Sequence, residues 1–263
     1  MIKILIIGKN SFIGSNLKKF LSKNFEVVIL SFEEVINKNV FFFLNFSHVI
    51  NTSIHENYIK NKYKKIYDLD KKFICKFKKI KFIYIYLNSR KIYLQKENIF
   101  EVSSKKPVCN YGRNKLLTEN YLKKKLKNKL LSLRIGNIIG KRISKIQRSN
   151  HKLFFDNFLV YRKFKKKITV DNDFKDFLSI EQFCRIVEIL IKKKITGIYN
   201  VSLSEKIYVS ELINWLDIEF FKKISFINER KDSFTLSNKK LLKKIDIKPL
   251  KVEFKKFCKS IFK

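Results

Sequence analysis

The sequence predicts an α/β fold in which helices cover both faces of a doubly wound parallel sheet. Short, continuous apolar runs alternate along the first half of the chain with segments whose apolar residues repeat at helical spacing. Continuous runs of this length are typical of strands buried on both faces, and their alternation with helices is typical of parallel sheets. A glycine pair directly after the first run marks the turn from the first strand into the first helix.

Five apolar runs are the predicted strands of this sheet. The first run, "KILIIG", leads into "SFIGSNLKKFLSK", whose apolar residues have the spacing of an amphipathic helix. The clearest helical pattern between the later runs spans 111–126. The five runs lie at 3–8, 25–30, 46–53, 81–89 and 129–137.

The alternation becomes less regular from about residue 143 onward. We therefore expect residues 1–143 to form the first domain and residues 144–263 to form a smaller, C-terminal substrate domain. A strand and a helix at about 168–193 are expected to return to the first domain. No internal repeat and no linker rich in proline and glycine interrupts the chain.

The net charge of +36, from 59 Lys and Arg against 23 Asp and Glu, raises the question of nucleic-acid binding. The lysines are spread along the whole chain, alanine is absent, and only six glycines and two prolines accompany 26 phenylalanines. A strongly AT-biased genome would produce this composition, since residues with G/C-rich codons are missing. The sequence has no nucleic-acid motif such as the RRM signature, so we expect no specific nucleic-acid partner.

Cysteines, histidines and apolar runs limit the kind of site and the compartment. The four cysteines form no CxxC pattern and the three histidines form no HExxH pattern, so no metal site is expected. The apolar runs are too short to cross a bilayer, and the N-terminal run is too short for a signal peptide. We expect a soluble, cytoplasmic protein with reduced thiols and no membrane partner.

The segment "GKNSFIG" at 8–14 has the features of a dinucleotide-binding loop. Gly8 allows a tight turn, and Gly14 lets the first helix pack closely against the strand. Ser11 stands where a middle glycine is often found. The free N–H groups of the helix N-terminus would face a pyrophosphate. The loop residues expected to bind the cofactor are Gly8, Asn10, Ser11, Phe12, Ile13 and Gly14.

The end of the second predicted strand bears on the choice between NAD and NADP. An acidic residue there binds the ribose hydroxyls, whereas a basic residue accommodates a 2′-phosphate. The chain has Ser31 and then Phe32 and Glu33, while Lys9 in the glycine loop could serve a 2′-phosphate. Both cofactors therefore stay open. Ser31 and Asn51, at the ends of the second and third predicted strands, are further expected cofactor contacts.

Tyr111 and Lys115 have the spacing of a tyrosine acid/base and its helper lysine. The spacing alone means little in a chain with so many lysines, because four other pairs share it. These pairs are Tyr58/Lys62, Tyr67/Lys71, Tyr121/Lys125 and Tyr161/Lys165. Tyr111 differs from the others in its surroundings, since Pro107 precedes it, Gly112 follows it and Ser89 lies 22 residues upstream at a predicted strand end.

These motifs, in this order, resemble the extended short-chain dehydrogenase/reductase family of NAD(P)-dependent nucleotide-sugar epimerases and reductases. "GKNSFIGSNL" resembles the glycine loop of the family, and "YLNSRKIY" resembles its strand-four motif. "EVSSKKPVCNYGRNKLLTE" resembles its Glu…Pro…Tyr-Gly-x-x-Lys-x-x-x-Glu stretch. Four later segments of the chain also resemble segments of the family; these are "LRIGNIIGKR", "NDFKDFLSIEQF", "GIYNVS" and "SNKKLLKKIDIKP".

The resemblance implies a Rossmann-type fold, NAD or NADP as cofactor and a nucleotide sugar as substrate, in surface polysaccharide biosynthesis. It implies that Ser89, Tyr111 and Lys115 are catalytic, and that Tyr111 and Lys115 also contact the cofactor. The implied substrate-binding residues are Ser89, Asn137, Lys175 and Arg230. Free tyrosine titrates near pH 10. We expect the charge of Lys115, one helical turn along, to lower the pKa of Tyr111.

The strand-four motif bears on the reaction. Dehydratases of the family that act on positions 4 and 6 carry an Asp-Glu pair after the catalytic hydroxyl, whereas this chain has Arg90 and Lys91. We therefore expect an epimerase or a 4-ketosugar reductase, with a mild preference for a reductase of the dTDP-dehydrorhamnose type. A non-catalytic, NAD(P)-binding relative that acts as a sensor or scaffold is the alternative. The resemblance also allows a homodimer.

Overall fold

A six-stranded sheet lies at the centre of the computed structural model, which describes residues 1–77, 81–143, 154–163, 168–229 and 232–262. All neighbouring strands of this sheet run parallel. In spatial order they are β10 (Gly197–Val201), β5 (Leu130–Ile135), β4 (Ile83–Ser89), β3 (His48–Asn51), β1 (Lys3–Ile7) and β2 (Glu26–Leu30). The five predicted strands are thus confirmed as β1 to β5, and with them the doubly wound α/β fold.

Helices follow most of the strands along the chain. Among the described residues, no helix combines the length and the apolar character needed to cross a membrane. In the first half of the chain the helices are α1 (Phe12–Leu21), α2 (Phe32–Ile36), α3 (Glu56–Lys60), α4 (Leu69–Lys76) and α5 (Asn110–Leu126). Later helices are α6 (Phe154–Arg162), α7 (Ile180–Lys192), α8 (Val209–Leu216), α9 (Ile218–Phe221), α10 (Lys239–Leu242) and α11 (Lys251–Ser260).

The two faces of the sheet pack into two separate apolar clusters. In β1, Ile4 and Ile6 belong to one cluster, whereas Leu5 and Ile7 belong to the other. All four side chains are completely buried. Because side chains alternate between the faces of a strand, a strand covered on both faces needs apolar residues at every position. This explains the uninterrupted apolar run at the start of the chain.

In the described part of the chain, three small two-stranded sheets lie outside the central sheet. Two of them are parallel and one is antiparallel. The pairs are β6 (Asn137–Ile139) with β9 (Phe177–Ser179), β7 (Ile168–Asp171) with β12 (Ile224–Ile227), and β8 (Phe174–Lys175) with β11 (Ile207–Tyr208).

The predicted return of a strand and a helix at about 168–193 to the first domain stays a prediction. Helix α7 packs against α1 of the first domain. Strand β7 pairs with β12, and the strand that joins the central sheet is β10. The physical reason is burial, because Tyr199 and Val201 of β10 are buried whereas β7 is partly exposed. The boundary between 143 and 144 stays a prediction, since 144–153 lie outside the described residues.

The order of the strands creates a crevice at the carboxyl edge of the sheet. The chain passes from β1 to β2 on one side of β1, whereas β3 lies on the other side. The loops that leave β1 and β3 therefore diverge, and this switch point is where open parallel sheets bind their ligands. The fold thus places the glycine loop, the end of β3 and the end of β4 along one edge.

A buried ion pair joins α5 to the sheet. Arg134 Nη2 lies 2.5 Å from Glu119 Oε2, and both side chains are only 2% exposed. Glu119 Oε1 also accepts hydrogen bonds from Ser132 Oγ at 2.6 Å and Asn88 Nδ2 at 2.8 Å. Although burial raises the pKa of Glu119, the hydrogen bonds and the charge of Arg134 bring it below its ordinary value. Glu119 is therefore ionised and fully hydrogen-bonded within the fold.

We expect Glu119→Ala to lower the free energy of unfolding by about 3–5 kcal/mol, because it leaves the charge of Arg134 buried without its partner. Urea unfolding measures the difference. Glu219→Ala is the matched control, since Glu219 is 72% exposed in its ion pair with Lys222. The control should change stability by less than about 1 kcal/mol. Equal effects of the two substitutions would contradict the structural role of Glu119.

Candidate active site

Two cavities lie at the carboxyl edge of the central sheet. The loop cavity, of about 440 Å³, is lined by the glycine loop at 8–11 and by the ends of β2 and β3. The tyrosine cavity, of about 510 Å³, is lined by the ends of β4 and β5 and by the first turn of α5. A larger cavity of about 720 Å³ lies between α1, α7 and α11. We place the site at the sheet edge, since the predicted residues gather there.

Close packing fixes the glycine loop against the end of β3. Gly8 has a φ of +115°, and a Cβ there would lie 2.6 Å from Thr52 Oγ1. A Cβ on Gly14 would lie 2.7 Å from the Gly8 carbonyl oxygen. Ser11, which replaces a middle glycine, is the N-cap of α1, because its Oγ accepts a hydrogen bond from the Gly14 N–H at 3.2 Å. The serine thus stabilises the helix N-terminus beside the loop cavity.

The predicted cofactor residues divide into those that line a cavity and those that do not. Gly8, Asn10, Ser11 and Ser31 line the loop cavity, and Ile13 lines the tyrosine cavity.

Phe12 and Gly14 are buried instead, and the Phe12 ring belongs to the apolar core. These two residues lie in the first turn of α1, where the N–H groups of a helix have no helical partner. Any contact that they make with a ligand would therefore go through the main chain.

Asn51 does not line either cavity, which differs from the prediction. Its side chain is 4% exposed, and Nδ2 donates to Asp70 Oδ1 at 3.0 Å. Its Oδ1 accepts the Ser53 N–H at 2.9 Å. The side chain is thus held between α4 and the loop that follows β3. The sequence placed Asn51 at the correct strand end, but it could not show which way the amide points.

Carboxylates predominate around the loop cavity. Glu33 and Glu56 line it, together with Lys9. Lys9 Nζ lies 3.0 Å from Glu34 Oε1, so the cation of the glycine loop is already paired. A hydrogen bond from the Ser31 main chain and a second one from Lys9 lower the pKa of Glu34 to about 2. Glu34 is therefore ionised at neutral pH.

Ser89 and Tyr111 meet at the wall of the tyrosine cavity. Ser89 is the last residue of β4, Tyr111 lies in the first turn of α5, and both line this cavity. Burial raises the pKa of Tyr111 above its ordinary value, although the Ser89 side chain acts to lower it. Tyr111 is thus a protonated phenol at neutral pH, beside a second hydroxyl group.

Lys115 lies one turn along α5 but does not line the cavity. It is 7% exposed, and its Nζ donates to the Leu87 carbonyl oxygen at 2.8 Å. Nζ is 6.0 Å from the centroid of the Tyr111 ring. Burial lowers the pKa of Lys115, while Asp70 and then Asp68 act to raise it. The expected lowering of the Tyr111 pKa by Lys115 is not seen, since burial sets the direction of the shift and Ser89 is the group that opposes it.

Gly112 allows Tyr111 to reach Ser89. A Cβ on Gly112 would lie 2.1 Å from the Lys91 carbonyl oxygen and 3.0 Å from Pro107 Cβ. Only a residue without a side chain permits this approach of α5 to the turn at 90–92. The family-like order Pro107, Tyr111, Gly112 therefore has a packing reason.

The predicted substrate-binding residues are partly brought together. Asn137 and Lys175 line the tyrosine cavity with Ser89. The Nδ2 atom of Asn137 is buried and has no hydrogen-bond partner among the described residues. Lys175 Nζ lies 3.1 Å from both Asp173 Oδ2 and Asp232 Oδ2. Arg230 lies outside the described residues.

The sequence did not reveal a group of charges that we call the Asp232 cluster, formed by Asp232, Arg90, Lys91 and Lys175. Arg90 Nη2 pairs with Asp232 Oδ2, and Lys91 Nζ lies 3.1 Å from both carboxylate oxygens. Burial raises the pKa of Asp232, but Arg90 and the two lysines outweigh it and hold the pKa well below its ordinary range. One feature of the sequence could have indicated that Arg90 and Lys91 belong to the site, namely their position directly after Ser89.

Comparison with known proteins gives a fold but no closer relative. No family model matches the chain, and no curated protein matches it. UDP-glucuronic acid 4-epimerase from Bacillus cereus in complex with NAD is a similar solved structure, with a TM-score of 0.77 and 18% identity, covering 99% of this chain and 96% of that chain. dTDP-4-dehydrorhamnose reductase from Clostridium acetobutylicum ATCC 824 is another similar structure, with a TM-score of 0.74 and 18% identity, covering 99% of this chain and 98% of that chain.

A third similar structure is dTDP-glucose 4,6-dehydratase from Bacillus anthracis str. Ames in complex with NAD, with a TM-score of 0.77 and 12% identity, covering 99% of this chain and 95% of that chain. The chain has the fold of the extended short-chain dehydrogenases/reductases. Because an epimerase, a reductase and a dehydratase share this fold, the fold does not select the reaction.

We expect Gly112→Ala to lower the free energy of unfolding by about 1–3 kcal/mol through overpacking against the Lys91 carbonyl oxygen. The sign of this change tests the close approach, since alanine in a helix interior is otherwise more stable than glycine by about 0.5–1 kcal/mol. Urea unfolding measures the change. Asn120→Ala, at an exposed position of the same helix, should leave stability unchanged or slightly higher. Stabilisation by Gly112→Ala would contradict the close approach.

Proposed function

We propose that the chain is an NAD-dependent enzyme that acts on a nucleotide sugar, as an epimerase or a 4-ketosugar reductase. The observation that carries the proposal is the meeting of Ser89 and Tyr111 at the wall of one cavity, next to the glycine loop. The similar structures include an epimerase for UDP-glucuronic acid and a dTDP-4-dehydrorhamnose reductase. Their likeness supports the general kind of reaction.

The described residues fit a dinucleotide cofactor. The close packing of Gly8 and Gly14 sets the start of α1 beside the loop cavity, where main-chain N–H groups can bind a pyrophosphate. Ser31 lines the same cavity at the end of β2. Two of the similar structures are complexes with NAD. A bound nicotinamide would supply or accept the hydride.

Tyr111 is the proposed acid and base. Its raised pKa keeps the phenol protonated at neutral pH, so that it can donate a proton to the oxygen of a ketosugar. Ser89 can donate a hydrogen bond to the same oxygen and stabilise the charge that develops there. In the oxidative direction Tyr111 must act as the phenolate to accept a proton; burial opposes this form by raising the pKa, and the Ser89 side chain acts in the other direction.

The Asp232 cluster argues against a 4,6-dehydratase. Elimination of water in the family uses the Asp-Glu pair after the catalytic hydroxyl, and here these positions hold Arg90 and Lys91. Asp232 is the one carboxylate among the described residues that line the tyrosine cavity, and it is paired with three cations. A carboxylate with so low a pKa is a poor general acid or base at neutral pH. Asn137 and Lys175, and Arg230 in the sequence, stay the proposed substrate contacts.

The charges around the loop cavity support NAD rather than NADP. Glu33 and Glu56 would repel a 2′-phosphate, and Lys9, the cation that could attract it, is paired with Glu34. A carboxylate at the end of β2 can instead accept hydrogen bonds from ribose hydroxyls. This choice was open at the level of the sequence, where the pairing of Lys9 could not be seen.

We expect the protein to bind NADH at least about tenfold more tightly than NADPH, a difference that like-charge repulsion at one site can produce. Fluorescence titration of the native protein measures both dissociation constants. Glu33→Gln should narrow the difference, whereas Glu219→Gln, at an exposed position elsewhere, should leave it unchanged. Tighter binding of NADPH would contradict the proposed cofactor, and binding of neither form would contradict the proposed function.

Tyr111→Phe tests the catalytic proposal. We expect it to reduce kcat by about 10²–10⁴-fold, the usual contribution of a positioned acid or base, while the affinity for NADH stays within about threefold. Epimerisation of nucleotide sugars followed by NMR, and NADH oxidation with a 4-ketosugar, are the two assays. Tyr121→Phe is the matched control, since Tyr121 lies on the same helix and also has a lysine four residues later. An unchanged kcat in Tyr111→Phe would contradict the role of Tyr111, whereas a wild type that binds NADH but is inactive in both assays would favour the non-catalytic alternative.

A further inference from the structure

The wall of the tyrosine cavity next to Ser89 has more positive than negative charge. Three cations line this wall, Arg90, Lys91 and Lys175, and they share Asp232 as a common partner. Asp173, which does not line the cavity, also pairs with Lys175, with 3.1 Å between Asp173 Oδ2 and Lys175 Nζ. Among the described residues, three cations therefore stand against two carboxylates.

The cations of this wall are built into the fold and are not loose surface lysines. Arg90 is 6% exposed, and its guanidinium carbon lies 3.8 Å from the centroid of the Phe234 ring. The Nε atom of Arg90 is buried without a hydrogen-bond partner among the described residues. A buried charged donor without a partner costs free energy, and an anionic group in the cavity would remove that cost.

Lys91 is the cation that a ligand can reach. Its side chain is 36% exposed and lines the cavity. Burial and the neighbouring charge of Arg90 lower the pKa of Lys91, although Asp232 acts to raise it. The Asp232 carboxylate with which Lys91 pairs is shared with Arg90 and Lys175. A second anionic group beside Lys91 would relieve this sharing.

The position of Lys91 relates this charge to the reacting part of the substrate. Arg90 and Lys91 directly follow Ser89, and the Lys91 N–H donates to Ser89 Oγ at 3.2 Å. Ser89, Lys91 and Tyr111, the proposed acid and base, line the same cavity. An anionic group beside Lys91 would therefore lie in the cavity that receives the part of the ligand whose oxygen Ser89 and Tyr111 hold. In a nucleotide sugar, that part is the sugar ring.

On the basis of the proposed function, we propose that the substrate is a nucleotide sugar whose sugar carries a carboxylate, and that Lys91 and Arg90 bind this carboxylate. Lys91 has three N–H donors, and Arg90 has the free Nε–H, so both retain capacity beside their pairs with Asp232. Asp232 holds the two cations in position. The specificity for an acidic sugar thus lies in the two residues after the catalytic serine.

The pyrophosphate of the nucleotide is the second source of anionic oxygens. It is common to all nucleotide sugars, whereas the carboxylate is present only on acidic ones. Binding measured on matched pairs, which differ only in the carboxylate, therefore separates the two sources.

The experiment is isothermal titration calorimetry of the full chain, saturated with NADH, with UDP-glucuronic acid, UDP-glucose and UDP, and with the corresponding dTDP pair. We expect the acidic sugar to bind at least about tenfold more tightly than the neutral one, the effect of one charge-assisted hydrogen bond. Lys91→Met should remove most of this preference, and Asp232→Asn, which removes a competing carboxylate, should increase it. Lys96→Met, an exposed lysine five residues along, is the control.

Three outcomes overturn the inference, and they differ in whether they also contradict the proposed function. If the wild type binds the acidic and the neutral nucleotide sugar with equal affinity, the proposed carboxylate site is refuted but the proposed function is not. An equal loss in Lys91→Met for both sugars and for UDP assigns the cations to the pyrophosphate. Failure of every nucleotide sugar to bind removes the proposed function as well. If Lys91→Met does not fold, the opposite effect expected of Asp232→Asn still tests the inference.

Discussion

The buried ion pair of Glu119 and Arg134 is the contact on which the geometry of the site depends. Glu119 lies on α5, whereas Arg134 lies on β5, and both are almost completely excluded from water. Asn88 at the end of β4 binds the same carboxylate. Tyr111 is two turns before Glu119 on the helix, and Ser89 follows Asn88 on the strand. The relative position of Tyr111 and Ser89 therefore depends on a pair of charges that lies outside the lining of the tyrosine cavity.

Burial also sets the protonation states in the site. It raises the pKa of Tyr111 and lowers that of Lys115, so it opposes the charged form of both groups. Asp70 lies under the sheet edge, where burial raises its pKa to about 6, while it accepts hydrogen bonds from Asn51 and Tyr84. The charge of Asp70 in turn helps to keep Lys115 protonated. The chemistry of Tyr111 thus depends on a layer of buried carboxylates below the cavity.

Local patterns in the sequence were sufficient to predict five of the six strands of the central sheet, β1 to β5. Each of the strands β1 to β5 is an apolar run because both faces of the sheet are covered, so the pattern and the fold have the same cause. The positions of Gly8, Ser89 and Tyr111 follow from the order of strand, turn and helix. The raised pKa of Tyr111 did not follow, because it depends on how deeply the ring is buried.

The features that escaped prediction depend on residues far apart in the chain. Arg90 and Asp232 are separated by 142 positions, and nothing in the pattern around Asp232 indicates that it meets the end of β4. The pairing of β7 with β12 has the same origin, since both are short, partly exposed strands without a strong apolar pattern. Asn51 was placed at the correct strand end, but the direction of its side chain depends on Asp70, 19 positions later.

The composition of the chain gives a way to separate cations with a role from cations without one. A mutational bias can place lysine at exposed positions at little cost, as at Lys60 and Lys222, which are both 64% exposed. It cannot place a cation in the interior so easily, because an unpaired buried charge is strongly destabilising. Lys115 at 7% and Lys175 at 12% exposure each need partners, and the fold supplies them.

Both of these nearly buried lysines lie at or beneath the tyrosine cavity, as does Arg90. In a chain with a net charge of +36, the number of basic residues says little about the ligand. The burial of a basic residue is more informative about the ligand, since the charge of a buried cation must be compensated by other residues of the fold or by a bound group. Where the fold compensates fully, as for Arg134, the cation is structural. Where cations share one carboxylate, as Arg90 and Lys91 share Asp232, the proposed anionic ligand would supply further negative charge.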